Sequence, residues 1–368
     1  WPLGGAEMGW DVRSEVSHGT PALAARVIQE ELDGGATSIT LKVASGDESG
    51  TPIANLAELD EALSHLALER VPVSLAAGSV GFQAACALIA AIDGQKARRG
   101  VVHGSLGLDP LGTLASQGGL PQSLDSALEE AAALAVFASR ELPGMRALQV
   151  DGSPYHEAGA DAAVELGIAL ASGVAYLRAL TAAGLDVSQA ARQIGFTFSV
   201  GRDFFVEMAK LRAARRCWSR VVEAAGGDTL AQAMVIHART SFRTKTQRDP
   251  WVNLLRATAE SFAAAAGGAD VITTSAFDVA LGESDEFARR LSRNTQHLLR
   301  HESHVNRVVD PAGGSFYLEE ITEALAKGAW AELQRIEKAG GVAQALTSGD
   351  VQAKLTKLLE SERKAVET

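Results

Sequence analysis

Cysteine is nearly absent: Cys86 and Cys217 are the only two in 368 residues. They lie far apart, among apolar or helical residues. They make neither a zinc pattern nor a disulfide framework, so a reducing cytoplasm is the expected compartment. Excess positive charge is also lacking. Lys and Arg total 34 against 45 Asp and Glu, and the net charge is −11. That balance argues against nucleic acid or an anionic membrane as the main partner, while leaving room for one local basic pocket around an anionic ligand. The longest apolar stretches, such as 84–92, are too short to cross a bilayer. The chain begins at Trp1 without a methionine, and no basic segment followed by an apolar one opens it. No signal peptide is expected, and the sequence reads as a fragment or the ordered part of a longer protein. A Walker-type loop, a dinucleotide fingerprint and a Gly-x-Ser-x-Gly elbow are all missing. No His, Cys, Asp or Glu cluster has metal spacing, and no metal is expected.

What is present is an ordinary globular composition, 46% apolar and 21% charged, which excludes a disordered chain and suffices for a core. Eight short runs rich in β-branched or apolar residues occupy 37–43, 71–77, 100–106, 146–151, 194–200, 234–240, 271–276 and 307–310. Between them lie segments of helical spacing. In 123–140, Leu124, Ala127, Leu128, Ala131 and Leu134 share one face, with Asp125, Glu129 and Glu130 turned away. Thr20-Pro21 reads as a helix start, a cap followed by proline in the first turn. Eight strands, each followed by a helix, predict a parallel (β/α)8 TIM barrel over residues 1–340, with an open doubly wound sheet as the alternative. Residues 341–368 read as a polar helical tail or the start of a linker. In a barrel, function sits at the C-terminal strand ends. Here those ends are 46–50, 77–81, 107–112, 152–160, 201–205, 241–250, 275–281 and 311–316.

Several residues at these ends carry possible chemistry. His156 follows Tyr155 and is a candidate acid or base with Glu157 to orient it, or else a loop histidine bonded to backbone. His103 and His237 fall within predicted strands, where packed histidines are the rule. The run 210–216, KLRAARR, reads as a phosphate or subunit surface, or as an ion-paired helix face. Arg243, Lys245 and Arg248 share one strand-end loop and suit an acidic ligand or partner. The turn 310–315, DPAGGS, allows close backbone approach to a ligand or simply a tight turn.

Four long stretches carry a resemblance: FFVEMAKLRAARRCW at 204–218, DPWVNLLRATAESFAAAAGGADVITTSAFDVA at 249–280, RRLSRNTQHLLRHESH at 289–304 and RVVDPAGGSFY at 307–317. They resemble the substrate-binding barrel of the adenosylcobalamin-dependent acyl-CoA mutases, specifically methylmalonyl-CoA mutase. Weaker similarity runs back through YHEAGA to GWDVR at 9–13. The resemblance implies a degenerate pocket. Active chains of this family carry Trp-x-x-Arg-x-Tyr. Here Trp10 and Arg13 match, but Glu15 stands at the tyrosine. Gly107 stands where the family's substrate-contacting glutamine belongs. Anchoring on Glu157-Ala158-Gly159 puts Ser153 and Pro154 at the family's Tyr-His pair, and shifts Tyr155 and His156 by two residues. Thr240-Ser241-Phe242-Arg243 departs from the family's Thr-x-x-Gln-Thr-Ser-Gly. Radical chemistry needs a closed, dry, precisely lined cavity, so these losses together imply a non-catalytic barrel.

The pattern resembles the small subunit of bacterial heterodimeric methylmalonyl-CoA mutase. It implies a homologous catalytic large subunit as partner, in a complex that interconverts (R)-methylmalonyl-CoA and succinyl-CoA. The cobalamin signature Asp-x-His-x-x-Gly is missing. Adenosylcobalamin is therefore expected in the complex and not on this chain alone, and acyl-CoA only through the complex. The alternative is a catalytic barrel of a related acyl-CoA mutase with a rearranged pocket built on Tyr155, His156 and Arg243, needing a separate cobalamin-binding chain. Whether Leu75, Phe196 and Phe198 fill the barrel axis depends on strand register.

Overall fold

A computed structural model describes residues 9–46 and 49–367. The chain's first eight residues, residues 47–48 of the predicted strand end 46–50, and residue 368 of the tail lie outside the described residues. Eight parallel strands close into a barrel in chain order. They are β1 Asp11–Val16, β2 Ser38–Lys42, β3 Val73–Ala76, β4 Gly104–Leu108, β5 Met145–Asp151, β6 Ile194–Val200, β7 Ile236–Thr240 and β8 Val271–Thr273. The last strand returns to the first, with Asp11 opposite Val271 and Val12 opposite Ile272. The (β/α)8 architecture follows, and the open sheet is excluded.

Seven of the eight predicted runs contain or overlap a strand. The eighth, 307–310, does not. Arg307 ends a short 3-10 turn, and Val308 and Val309 are 59% and 71% exposed. The strand that completes the barrel is β1. Its sequence DVRSEV reads as a surface segment because its inward residues, Arg13 and Glu15, meet a polar hollow, while Val12 and Val16 are fully buried on the other face. Consequently 311–316 is not a barrel strand end, and His156 follows the fifth strand. His103 lies just before β4, exposed, with Nδ1 2.8 Å from the Val101 carbonyl oxygen.

Local signals elsewhere hold. Thr20 caps the helix Pro21–Asp33, its side chain accepting from the Leu23 N–H at 3.2 Å. Ser123 caps Leu124–Glu141, which buries Ala131 and Leu134 and exposes Asp125 and Glu129. Contrary to the expectation from apolar runs, the helix Ala162–Ala182 is long and apolar enough to span a membrane by length and composition, but 72% of its apolar window is buried in the protein. It packs beneath β5 and β6 and against the helices Phe204–Ala224 and Phe316–Lys338. Phe196 and Phe198 face this layer, not the barrel axis. Phe196 meets Trp218 edge-on at 4.8 Å, and Gly173 leaves room for both rings.

The basic run 210–216 is an ion-paired structural element. Lys210 is wholly buried, with Nζ 2.7 Å from Glu165, 2.6 Å from Glu207 and 2.6 Å from the Ser199 carbonyl oxygen. Arg212 reaches Asp310 and Glu319, Arg215 reaches Asp270, and Arg216 pairs with Glu323. The DPAGGS turn thus supplies a carboxylate to Arg212. The tail forms two helices, Val342–Thr347 and Asp350–Glu367. The second is not a free exposed helix: Val351 and Leu355 are buried, and Leu359 lies over Gly159. A side chain there would come within 2.9 Å of Leu359 Cβ, and φ of +107° already favours glycine.

Burial works against the Lys210 ammonium, and Glu165 and Glu207 outweigh it, holding its pKa above the ordinary lysine value. Lys210→Met leaves those carboxylates buried without their cation. The expected loss is about 3–5 kcal/mol of folding stability, read from the denaturant midpoint at neutral pH. A change below about 1 kcal/mol would show that the network contributes little.

Candidate functional site

Strand alternation sends Arg13 and Glu15 of β1, Thr40 and Lys42 of β2, Ser74 of β3 and Ser105 of β4 to the axis. Gln149 and Asp151 of β5, Thr197 of β6, and His237 and Arg239 of β7 complete the ring. They surround an axial hollow of about 160 Å³. Most of its lining side chains are polar or charged, alongside Leu75, Ala76, Ala77 and Pro154, in contrast to the wholly aliphatic layers that fill many such barrels.

Glu15 reaches past the intervening β8 to Arg239, at 3.1 Å. The ion pair joins β1 to β7, and the Glu15 carboxylate is the main reason that Arg239 sits above the ordinary arginine pKa. Gly107 sits at a break in register between β4 and β5, with φ of +71°. A Cβ there would lie 1.8 Å from the Leu75 carbonyl oxygen, so no side chain can project from that position without moving the strand. Pro154 lines the hollow. Ser153 begins the short helix Ser153–Glu157, and its N–H donates to Asp151 at 2.8 Å.

Tyr155 and His156 point away from the axis. Tyr155 is buried and faces the tail helix beside Ala158 and Leu359. His156 Nε2 lies 2.8 Å from Ser241 Oγ, and Nδ1 lies 3.5 Å from Glu165. Glu157 does not orient this histidine. Its carboxylate accepts from the Phe242 N–H at 3.0 Å. Arg243 donates to the His156 carbonyl oxygen at 3.0 Å and pairs with Glu362 of the tail helix. These residues border a second hollow, of about 730 Å³, beneath the tail. Lys245 is spoken for as well, with Nζ 2.5 Å from Glu260. The loop 241–248 therefore spends Arg243 and Lys245 internally and leaves neither for an acidic ligand.

Sequence reading passed over Asp109, which caps the helix Pro110–Gln117 and borders the axial hollow. Its carboxylate accepts from the Tyr176 hydroxyl, from the Asp151 N–H at 2.8 Å and from the Gly112 N–H at 3.0 Å. The Asp-Pro pair was the available signal. Burial pushes its pKa up to about 7, against the pull of those three donors. Burial, with Arg13 and Arg239 nearby, holds His237 well below the ordinary imidazole value, so it is neutral, with Nε2 2.8 Å from Thr273 Oγ1. Among the described residues no group of three His, Cys, Asp or Glu side chains converges as metal ligands do.

A raised carboxyl pKa means that the folded state holds the proton longer than the unfolded chain. That contribution is complete below the unfolded value near 3.8 and is lost as pH rises toward about 7. Asp109→Asn is expected to flatten this part of the stability–pH profile, measured by urea unfolding from pH 4 to pH 8. An unchanged profile would assign the dependence to other groups.

The family model described as methylmalonyl-CoA mutase matches residues 6–368. The methylmalonyl-CoA mutase small subunit of Streptomyces virginiae is 45% identical over 348 residues, 95% of this chain and 55% of that protein. The small subunit from Propionibacterium freudenreichii subsp. shermanii is 37% identical over 354 residues, 96% and 53% of the two chains. The methylmalonyl-CoA mutase of Escherichia coli is 38% identical over 214 residues, 58% and 30%. The chain spans about half the length of the small subunits that it matches. With the barrel in place and the match covering nearly all of it, this chain belongs to the methylmalonyl-CoA mutase family, on the side of its small subunits.

Proposed function

We propose that this chain is a non-catalytic barrel that stabilises a homologous catalytic subunit in an adenosylcobalamin-dependent mutase, the complex interconverting (R)-methylmalonyl-CoA and succinyl-CoA. One observation carries the reading: the axial hollow, where the family's active chains hold substrate, is narrowed by the Glu15–Arg239 ion pair. The hollow's 160 Å³ is below the roughly 300–1,000 Å³ of pockets that enclose drug-sized ligands, and a CoA thioester is larger still. Gly107 has no space for a glutamine side chain, and Pro154 offers no proton donor. The rearranged-pocket alternative gains no support from the geometry, because His156 and Arg243 lie off the axis and are bonded to Ser241, Glu165 and Glu362.

On this reading the cofactor belongs to the complex, and acyl-CoA meets the catalytic barrel. The complex works in a reducing cytoplasm. An aromatic cluster suits the partner role. Phe204, Phe205, Phe262 and Tyr317 stack edge to face at 5.2–5.5 Å, and the last three are 41–57% exposed. Exposed rings of this kind mark association surfaces. The rings come from three of the stretches in which this chain resembles the catalytic barrels, as a pseudo-symmetric interface between homologues requires.

Mixing the chain with methylmalonyl-CoA and adenosylcobalamin, with and without a homologous catalytic barrel, tests the role. Turnover is expected only when that barrel is present. Turnover in its absence, given a cobalamin-binding chain alone, would overturn the reading. His156→Ala in the full complex is expected to leave kcat within about two-fold, since the imidazole does not face the axis. Phe205→Ser with Tyr317→Ser is expected to weaken association with the catalytic chain by about 30-fold, measured by analytical ultracentrifugation. Unaltered association would move the interface elsewhere.

A further inference from the structure

The axial hollow is reduced in size but not inert. Thr40 and Ser74 sit directly opposite each other on β2 and β3, and Ser74 is in turn opposite Ser105 on β4. Neighbouring strands run about 4.8 Å apart, so these three hydroxyl-bearing residues form one row around the wall. Ser105 Oγ accepts from the Gly107 N–H at 3.1 Å. Among the described residues Thr40 Oγ1 and Ser74 Oγ have no hydrogen-bond partner, although each residue is only 5% exposed. Buried hydroxyls without partners are uncommon and costly, and two side by side call for a ligand or ordered water between them.

Two positions further along β2, Lys42 projects from the same face. Among the described residues it has no ion-pair partner. The other charges of the hollow are spoken for. Glu15 is taken by Arg239, Arg13 reaches Asp11 at 3.3 Å and Ser38 at 2.8 Å, and Asp151 accepts from the Ser153 N–H. Arg13 and Arg239 are each matched by a carboxylate, Asp11 and Glu15, while Asp151 and Asp109 lie at the ends of β5 and β4. The hollow thus offers Lys42 as a cation without a counter-ion among the described residues. Its volume equals about five waters at roughly 30 Å³ each.

We propose that the hollow binds a small oxyanion, a carboxylate or phosphate without a CoA arm, with the Lys42 ammonium over it and the Thr40 and Ser74 hydroxyls donating to its oxygens. The site uses the β2–β3 half of the lumen, which the Glu15–Arg239 pair leaves open. It makes the barrel a small-anion receptor in its own right. An ammonium and two hydroxyl donors converging on one oxyanion are a recurrent charge-assisted arrangement, and the surrounding low-dielectric wall strengthens it.

Calorimetric titration of the 368-residue chain with inorganic phosphate and, separately, with malonate, ionic strength held constant with chloride, decides the matter. Saturable one-to-one binding of at least one probe is expected. Stronger binding of malonate assigns a carboxylate ligand, and stronger binding of phosphate assigns a phosphate. Lys42→Met is expected to weaken the preferred probe by at least about ten-fold, and Thr40→Val with Ser74→Ala by about three-fold. Lys327→Met, on an exposed helix surface, is expected to leave it unchanged. Heats equal to those of chloride for both probes, or an unaltered affinity in folded Lys42→Met, would overturn the proposal. The first of these outcomes is read from the unsubstituted chain alone, so the test does not depend on the variants folding. No catalytic partner enters the titration, and its outcome is separate from that of the mutase-subunit reading.

Discussion

Closure of the sheet is the constraint from which the other features follow. A closed parallel barrel has no edge, so each strand residue faces either the helical layer or the axis. In this chain the outward face takes the aliphatic and aromatic residues: Val12, Ile39, Leu41, Phe196, Phe198 and Ile272 are all fully buried. The axis receives the polar remainder. An ion pair that would be worth little on the surface occupies, at the axis, the β1–β7 side of the lumen.

The same partition explains the charged network outside the sheet. Glu165, Lys210 and Glu207 meet where the helices Ala162–Ala182 and Phe204–Ala224 cross below β6, with His156 and Ser241 continuing the chain of contacts toward the strand ends. Burial penalises every ion there, and each persists because another of opposite sign lies within about 3 Å. His156 is thereby tied into the scaffold. It fastens the loop after β7 to the helix after β5. Arg243 extends that fastening to Glu362 of the tail helix, which covers the side of the barrel mouth and not its centre.

Much of the architecture was legible because helix and strand periodicities differ so strongly. Caps at Thr20 and Ser123, apolar strands such as IGFTFSV and the amphipathic face of 123–140 all speak through local chemistry. The failures were those in which local chemistry misleads. DVRSEV pairs a buried face with a polar lumen and so lacks a strand's usual contrast with water. RVVD shows strand-like residues at a turn that exists to present Asp310 to Arg212. One missed strand and one false strand left the total at eight, so the barrel was inferred correctly on a partly wrong set of strands.

By itself the sequence determined the family and the alternation of strands and helices, since these depend on residue identity and spacing; that Glu15, Gly107, Ser153 and Pro154 stand in place of polar pocket residues is what the resemblance implies. Tertiary structure alone decided what those residues meet. That Glu15 finds Arg239, that Gly107 presses on the Leu75 carbonyl, and that Lys42, Thr40 and Ser74 share one wall are meetings between strands distant in the chain. Barrel closure and register bring them together, and no local pattern encodes which residue will stand opposite which.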